Sequence, residues 1–287
     1  MNSIKQIFTE KKSSRLANSI LAVVVIFRIR PKDCLSLITL NNACIQARIS
    51  LDILVYDNSP ERTYDKIMFS NLRLVKVIHD PSNPGVSKAY NQALNLANDL
   101  SKKWLFTLDQ DSGLDHSYIT NMLGCMKEEC SIYAPLVKGN NGAIISPCKN
   151  FYNWSLPTNE VPIGSNPIKG YNLINSGLLI SIDLLNKVGG YNLRLPLDFS
   201  DSYIMGRINK EESHFTLYPA GIIHNLSSTE TNLEKIKARY LVYIRSASIF
   251  KKEADLRWLF CVFVFIRVIK MTIRFKSFFF LKHLYKT

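Results

Sequence analysis

The chain has 287 residues, 47% of them hydrophobic and 11% aromatic, enough to bury one large core with a small appendage and to exclude global disorder. Its 36 Lys and Arg against 23 Asp and Glu leave a net charge of +13, which suits an anionic partner such as a nucleic acid, a membrane surface or a phosphorylated substrate. The six cysteines form no CxxC pair and no zinc-type cluster, so they read as reduced thiols of a cytoplasmic protein rather than structural zinc ligands.

The run ILAVVVIF follows Lys11, Lys12 and Arg15 and superficially resembles a signal peptide. It is short, β-branched and followed by RIRPKD instead of a small-residue cleavage site, so a buried parallel strand is expected there. A helix is expected near Asp33 to Ala47, then the strand LDILVYD, a polar turn with a short helix, and the strand LRLVKVI. Val86, Ala89, Tyr90, Ala93, Leu94, Ala97 and Leu100 recur at helical spacing after NPG, and the strand WLFTLD comes next. This βαβα order predicts a parallel sheet with helices on both faces. From about Lys138 to Gly170 the chain is rich in Asn, Pro and Gly, a long loop in which Tyr152 and Trp154 are placed to stack on a ligand or to fold back on the core. The sequons at Asn153 and Asn225 carry little weight in a cytoplasmic protein. FTLYPAGIIHN reads as a strand and turn ending at His224.

Sheets of this kind bind ligands beyond the carboxyl ends of their strands. Three strand ends carry polar clusters: Asp57 to Ser59, His79 to Gly85, and Asp109 to Ser112. Asp109 and Asp111, two residues apart across a turn, are spaced to share a divalent cation that carries a diphosphate as its other ligand. The same acids are also ordinary turn formers and helix caps, with Asp111, Ser112 or Asp115 able to cap a helix starting near His116.

The ordered set VVVIFRIRPK, LDILVYDNSPE, NPGVSKAYNQAL, WLFTLDQDS and NSGLLISIDLLNKVGGYN resembles family 2 glycosyltransferases of the GT-A fold, especially rhamnosyltransferase-like members of bacterial surface-polysaccharide synthesis. The resemblance covers about residues 20 to 225. It implies a Rossmann-like, mostly parallel sheet flanked by helices, with a lead-in over 1–19, a catalytic domain over 20–230 and a helical tail over 231–287. Within that domain, the nucleotide half runs to about 115 and the acceptor half to about 230. By the same resemblance Asp57 contacts the nucleotide base, where a carboxylate accepts the imide N–H. Asn83, Gly85 and Lys88 lie beside the nucleotide, although Lys88 reads equally as a solvated helix residue. Asp109 faces the ribose or the metal, Asp111 is the direct ligand of Mg²⁺ or Mn²⁺, and His224 is directed at the metal or diphosphate. RLPLDFSDSYIMGRI places Asp198 near the site floor and Asp201 as the general base, with Asp201 as a plain helix cap the other reading. SDSY departs from the usual aromatic-bearing version, so acceptor contacts do not carry over. His79, His116, His214 and His283 have no such support.

From Lys251 onward, nine Lys and Arg stand against two acids among many aromatics, and Arg267, Lys270 and Arg274 share one helical face. That composition suits a helix in the headgroup region of an anionic membrane, or a tail helix packed on the domain with a solvated basic edge. The longest apolar run, Trp258 to Ile266, falls short of the roughly 20 residues a bilayer requires. The expected partners are a dTDP- or UDP-sugar donor, a glycan or lipid-linked oligosaccharide acceptor, and the cytoplasmic face of the inner membrane, with no nucleic acid. A basic nucleic-acid-binding protein and another metal-dependent nucleotide enzyme on a doubly wound sheet are the alternatives, the latter without a P-loop or GxGxxG.

Overall fold

The computed structural model describes residues 11–62, 64, 66–127, 130–151, 154–224, 232–254 and 258–284, the side chains of Trp154 and Leu259 excepted. Every residue of β1 (Ile20–Ile26) is buried, and its side chains alternate between two apolar layers. Ile20, Ala22, Val24 and Ile26 enter one layer, Leu21, Val23 and Val25 the other. A strand without a polar position is stable only inside a sheet covered on both faces. β1 pairs in parallel with β2 (Leu51–Asp57), which pairs in parallel with β3 (Leu72–His79); β4 (Trp104–Asp109) runs parallel on its other side. Helix α1 (Leu35–Ala47) fills the first layer and α2 (Val86–Asp99) the second, with α3 (Tyr118–Cys125) again on the first. α4 (Ile182–Lys187) and α5 (Ser200–Ile208) complete the second.

The second half adds β5 (Ser112–Leu114), β6 (Ile132–Gly139), β7 (Ile144–Ser146), β8 (Cys148–Phe151), β9 (Trp154–Leu156), β10 (Gly164–Pro167), β11 (Tyr171–Asn172), β12 (Leu179–Ser181) and β13 (His214–His224). The main sheet runs β10-β13-β6-β12-β4-β1-β2-β3, with β12 antiparallel to both of its neighbours. The expected parallel sheet is therefore mostly parallel, with β12 reversed at its centre and β10 at its edge, and the short β5 and β7 pairing antiparallel beside it. The short helix expected after β2 is not found among the described residues. Asp57 makes a local turn instead, accepting the Ser59 amide at 2.9 Å, and such bonds offer the backbone an alternative to helix. Part of the expected long loop is ordered as a small sheet, β11-β8-β9. Tyr152, Asn153, Asn225 and the Trp154 side chain lie outside the described residues.

The tail folds into α6 (Leu233–Glu253), α7 (Trp258–Phe275) and α8 (Phe279–Lys282). Their inner faces build a third apolar cluster in which Tyr240, Ile244, Phe250, Phe260, Val268 and Phe280 pack with Leu195. On this side the tail is packed on the domain.

Beside the β4–β12 pairing, one close contact ties the start of α2 to the second half. The Val86 amide donates to the Pro196 carbonyl at 2.7 Å, and the Ser87 hydroxyl to the Leu195 carbonyl at 2.5 Å, so the start of α2 is capped by the 195–196 segment. Gly85 sits at φ +89°, and a Cβ there would lie 2.2 Å from the Pro196 oxygen. Gly85→Ala is expected to lose about 1–3 kcal/mol for the backbone conformation alone, with the collision adding to it. Gly124→Ala, whose Cβ meets nothing within 4 Å, should be close to neutral. The difference between their urea midpoints checks this.

Candidate active site

The carboxyl ends of β1, β2 and β4 form one rim. At the β2 end, Asp57 is buried with one oxygen on the Ser59 amide, while its Oδ2, the Asn58 Oδ1 and the Tyr64 hydroxyl are buried without a hydrogen-bond partner among the described residues. Burial, then the nearby Asp57 charge, pushes the Tyr64 phenol well up, although the pair falls short of a hydrogen bond. Three orphaned polar atoms in one place are costly, at about 1–3 kcal/mol each, and mark a place built for something else to bind. Ser59 lines an adjoining cavity of about 560 Å³ with Arg28, Arg30, Asp33, Pro60 and Glu61. Its hydroxyl accepts the Arg28 amide at 2.7 Å, and its carbonyl lies 2.9 Å from His79 Nε2.

On the neighbouring loop, Asn83 adopts φ +49°, and Gly85 meets Pro196. Lys88 donates to Asp80 at 3.0 Å. Asp80 also accepts from Ser82 and, at 3.0 Å, from the Tyr56 hydroxyl, and these bonds, Ser82 foremost, hold its carboxyl at about 2. Lys88 is thus tied to its own loop.

At the β4 end the turn 109–112 is stitched to the first turn of α1. The Ser36 hydroxyl donates to the Asp109 carbonyl, lies 3.0 Å from the Ser112 carbonyl and accepts the Ser112 amide at 3.0 Å. Both carboxylate oxygens of Asp109 are engaged, by the Tyr90 hydroxyl at 3.1 Å and the Ser176 hydroxyl at 2.6 Å. Asp111 is freer. The antiparallel pairing of β5 with β13 sets His224 opposite Ser112, which brings His224 Nδ1 to 3.2 Å from the Ser112 hydroxyl and 3.5 Å from Asp111 Oδ1. A polar chain therefore runs from Asp109 through Ser176 and Ser112 to His224 and Asp111. Burial raises the Asp111 carboxyl, and the Asp109 charge adds to the rise against the opposing pull of His224.

Of the three expected metal ligands, the structure pairs Asp111 with His224 and turns Asp109 onto Tyr90 and Ser176. No group of three His, Cys, Asp or Glu side chains is placed to hold an ion among the described residues. The two groups offer one carboxylate and one imidazole, a donor pair that could hold a divalent ion only with further ligands from outside the chain and that favours a first-row ion such as Mn²⁺ over Mg²⁺.

Asp201 lies in the first turn of α5, half-buried, accepting the Ser202 amide at 2.8 Å. Its carboxyl is pushed up to about 6, mainly by desolvation, with the Asp109 and Asp198 charges in support. Asp198, expected near the site floor, is clamped by Arg239 of α6 through two guanidinium bonds, one of 2.9 Å, and its charge reaches Asp201. Between them Phe199, at φ +64°, stacks on Phe250 at 5.0 Å and meets the Tyr243 and Phe260 rings at 5.4 and 5.7 Å. Tyr64, Tyr90, Ser176 and the Arg28–Arg30 pair escaped the sequence reading. Tyr90 looked like an apolar helix position, and the only signal for the arginines was their place directly after a buried strand.

A family model described as "Glycosyl transferase family 2" matches residues 39–189, just over half of the chain. Among solved structures, that of S. aureus TarS residues 1–349 is similar with a TM-score of 0.52 at 14% identity, covering 83% of this chain and 66% of that one. Full-length S. aureus TarS gives 0.52 at 15% identity, with 83% and 40% covered. The 1–349 structure in complex with UDP-GlcNAc gives 0.51 at 13% identity, with 79% and 66% covered. At these identities the likeness is one of fold, and the chain spans less than two thirds of the length of these structures. The curated proteins include no sequence match.

Because the Asp198 charge already raises Asp201, removing its counterion must raise it further. Arg239→Ala is expected to move the Asp201 carboxyl above about 6, and Arg239→Lys by less, since one ammonium keeps the charge but not the paired geometry. Carboxyl ¹³C chemical shifts measured against pH check both.

Proposed function

We propose that this chain, a glycosyltransferase that belongs to glycosyl transferase family 2, moves a sugar with inversion from a nucleoside-diphosphate donor to a hydroxyl of a glycan or lipid-linked glycan. The observation that carries the donor half of this reading is the orphaned trio of Asp57 Oδ2, Asn58 Oδ1 and Tyr64 hydroxyl beside the cavity at the sheet edge. A pyrimidine base offers the partners they need: its imide N–H to Asp57 and its carbonyl oxygens to the tyrosine hydroxyl. Arg28 and Arg30 line the same cavity, where Arg30 is paired with Asp33 at 2.6 Å and Arg28 is the arginine that supplies positive charge toward a diphosphate. The site residues carried over from the family resemblance stand in this reading as Asp57 for the base and Asp201 for the acceptor. Asn83, Gly85, Lys88 and Asp198 hold the loops around them.

Asp111 and His224 are the residues that would hold a divalent ion, whose charge would neutralise the diphosphate as it leaves. Asp109 holds Tyr90 and Ser176 in place and adds negative charge beside Asp201. Asp201 takes the proton from the attacking hydroxyl, and its raised pKa places the base near neutral pH, where proton transfer is most effective. With a single carboxylate acting on the acceptor side, the hydroxyl attacks C1 opposite the departing diphosphate. The anomeric configuration inverts without a covalent sugar intermediate.

The rhamnosyltransferase-like motifs favour dTDP-rhamnose as donor and O-antigen or capsule synthesis as the setting. UDP-GlcNAc, which S. aureus TarS binds, is the donor to test beside it. The basic surplus of the tail supports a peripheral position at the cytoplasmic face of the inner membrane, where lipid-linked acceptors are found. No helix among the described residues is long and apolar enough to cross a bilayer.

Activity requires Asp201 ionised, so kcat/KM should rise with pH through an apparent pKa of about 6. Its effect on stability has the opposite sign. The folded pKa lies above the ordinary aspartate value of 3.8, so the cost of a buried charge is absent below that value and complete above about 6; stability falls as pH rises between them. Asp201→Asn should abolish that dependence of stability and cut turnover by about 10²–10⁴-fold, while donor binding persists. Product NMR should show inversion; retention at the anomeric carbon would reject the single displacement.

Asp111→Asn should leave the melting temperature nearly unchanged and remove the Mn²⁺ dependence of UDP or dTDP binding in calorimetric titrations. A variant whose nucleotide binding still responds to Mn²⁺ as wild type does would take Asp111 out of the metal site.

A further inference from the structure

Helix α7 presents three faces. Phe260, Val264 and Val268 point into the third cluster and dock the helix on the domain. Trp258, Phe265, Ile266, Ile269 and Ile273 form a second stripe that points outward, with Trp258 and Ile273 each 71% exposed. Phe278, just beyond the helix, is 82% exposed. Arg267, Lys270 and Arg274 form the third face, exposed and alongside the apolar stripe. Packing onto the domain accounts for the first face and, through the Arg267 guanidinium over the Tyr243 ring at 4.1 Å and the Phe263 ring against Phe151 at 6.2 Å, for part of the third, but not for the outward apolar stripe. An uninterrupted outward row of large apolar side chains is unusual on a protein surface and marks a contact site.

We propose that this outward surface of α7 is a bilayer-docking face that lies in the headgroup plane of an anionic membrane. An apolar stripe edged by basic side chains and headed by a tryptophan matches what such an interface offers: acyl chains below, acidic headgroups beside them. Charge decides against a second copy of the chain as the occupant. From residue 258 to the end the sequence contains no Asp or Glu, so a symmetric pairing of this face would bring Arg267, Lys270 and Arg274 of both copies together with nothing on α7 to neutralise them. The helix lies along the membrane, since it is not apolar enough to cross one. Its docked face also reaches the acceptor side of the site. Phe260 touches Phe199, two residues from Asp201, so the surface that binds lipid and the carboxylate facing the acceptor are held by the same helix.

The test is flotation of the full chain with vesicles of phosphatidylglycerol mixed into phosphatidylcholine, and with phosphatidylcholine alone. The expected result is binding to the mixed vesicles that weakens with salt. Ile269→Ser with Ile273→Ser should reduce partitioning by about tenfold or more. Lys270→Gln with Arg274→Gln should remove the preference for phosphatidylglycerol. Melting temperature and UDP binding should stay at wild-type values in both variants, which separates a failure of the docking face from a failure of fold or of the catalytic reading. Absence of binding to mixed vesicles overturns the proposal, as does wild-type binding by both variants. A dimer in light scattering that the serine variant disperses, without vesicle binding, would assign the face to self-association instead.

Discussion

The approach of Gly85 to the Pro196 carbonyl, together with the β4–β12 pairing, holds this molecule's two halves in register. The amides at the start of α2 take that carbonyl as their cap, so this helix of the first half starts against the segment leading to Asp198 and Asp201. Helix N-termini need acceptors for their free amides. Here the acceptor comes from 110 residues further along the chain, and only a residue without a side chain leaves room for it. The residues after Pro196 are thereby positioned: Asp198 within reach of Arg239, Phe199 among the tail's aromatic rings, and Asp201 near Asp109.

A strongly basic chain collects its acids on the sheet edge because each is held by a different device. Asp57 turns one oxygen to its own loop, Asp109 is satisfied by two hydroxyls, Asp111 sits beside His224, and Asp201 keeps one backbone bond and a raised pKa. Burial, with the neighbouring Asp109 charge in support, raises the proton affinity of Asp111 and of Asp201. The polar chain through Ser176 and Ser112 links Asp109, His224 and Asp111 across three strands and a loop.

Much of the fold was legible in the sequence because its elements are locally consistent. The β-branched run of β1, the periodic apolar face of α2 and the acids closing β2 and β4 all lie where pattern alone puts them. The reversed strand β12 was not legible, since a short apolar run of three residues reads the same in either direction. The missing helix after β2 and the small sheet around β8 escaped for a related reason. Side-chain turns and short hairpins are decided by single hydrogen bonds and by what packs over them, which periodicity does not register.

By itself, the sequence determined the main strands and helices of the first half, the family and the carboxylates at the strand ends, because those depend on local pattern and on motifs that keep their spacing. Tertiary structure alone decided the partners. It gave Asp198 to Arg239, Lys88 to Asp80 and Asp109 to Tyr90 and Ser176, and it left the Asp57 oxygen without a partner among the described residues. It also divided the tail's aromatics between a buried cluster and an outward stripe. The physical reason is the same in each case: whether a charged or apolar side chain meets a ligand, a neighbour or solvent depends on residues distant in the chain, and only folding brings those into contact.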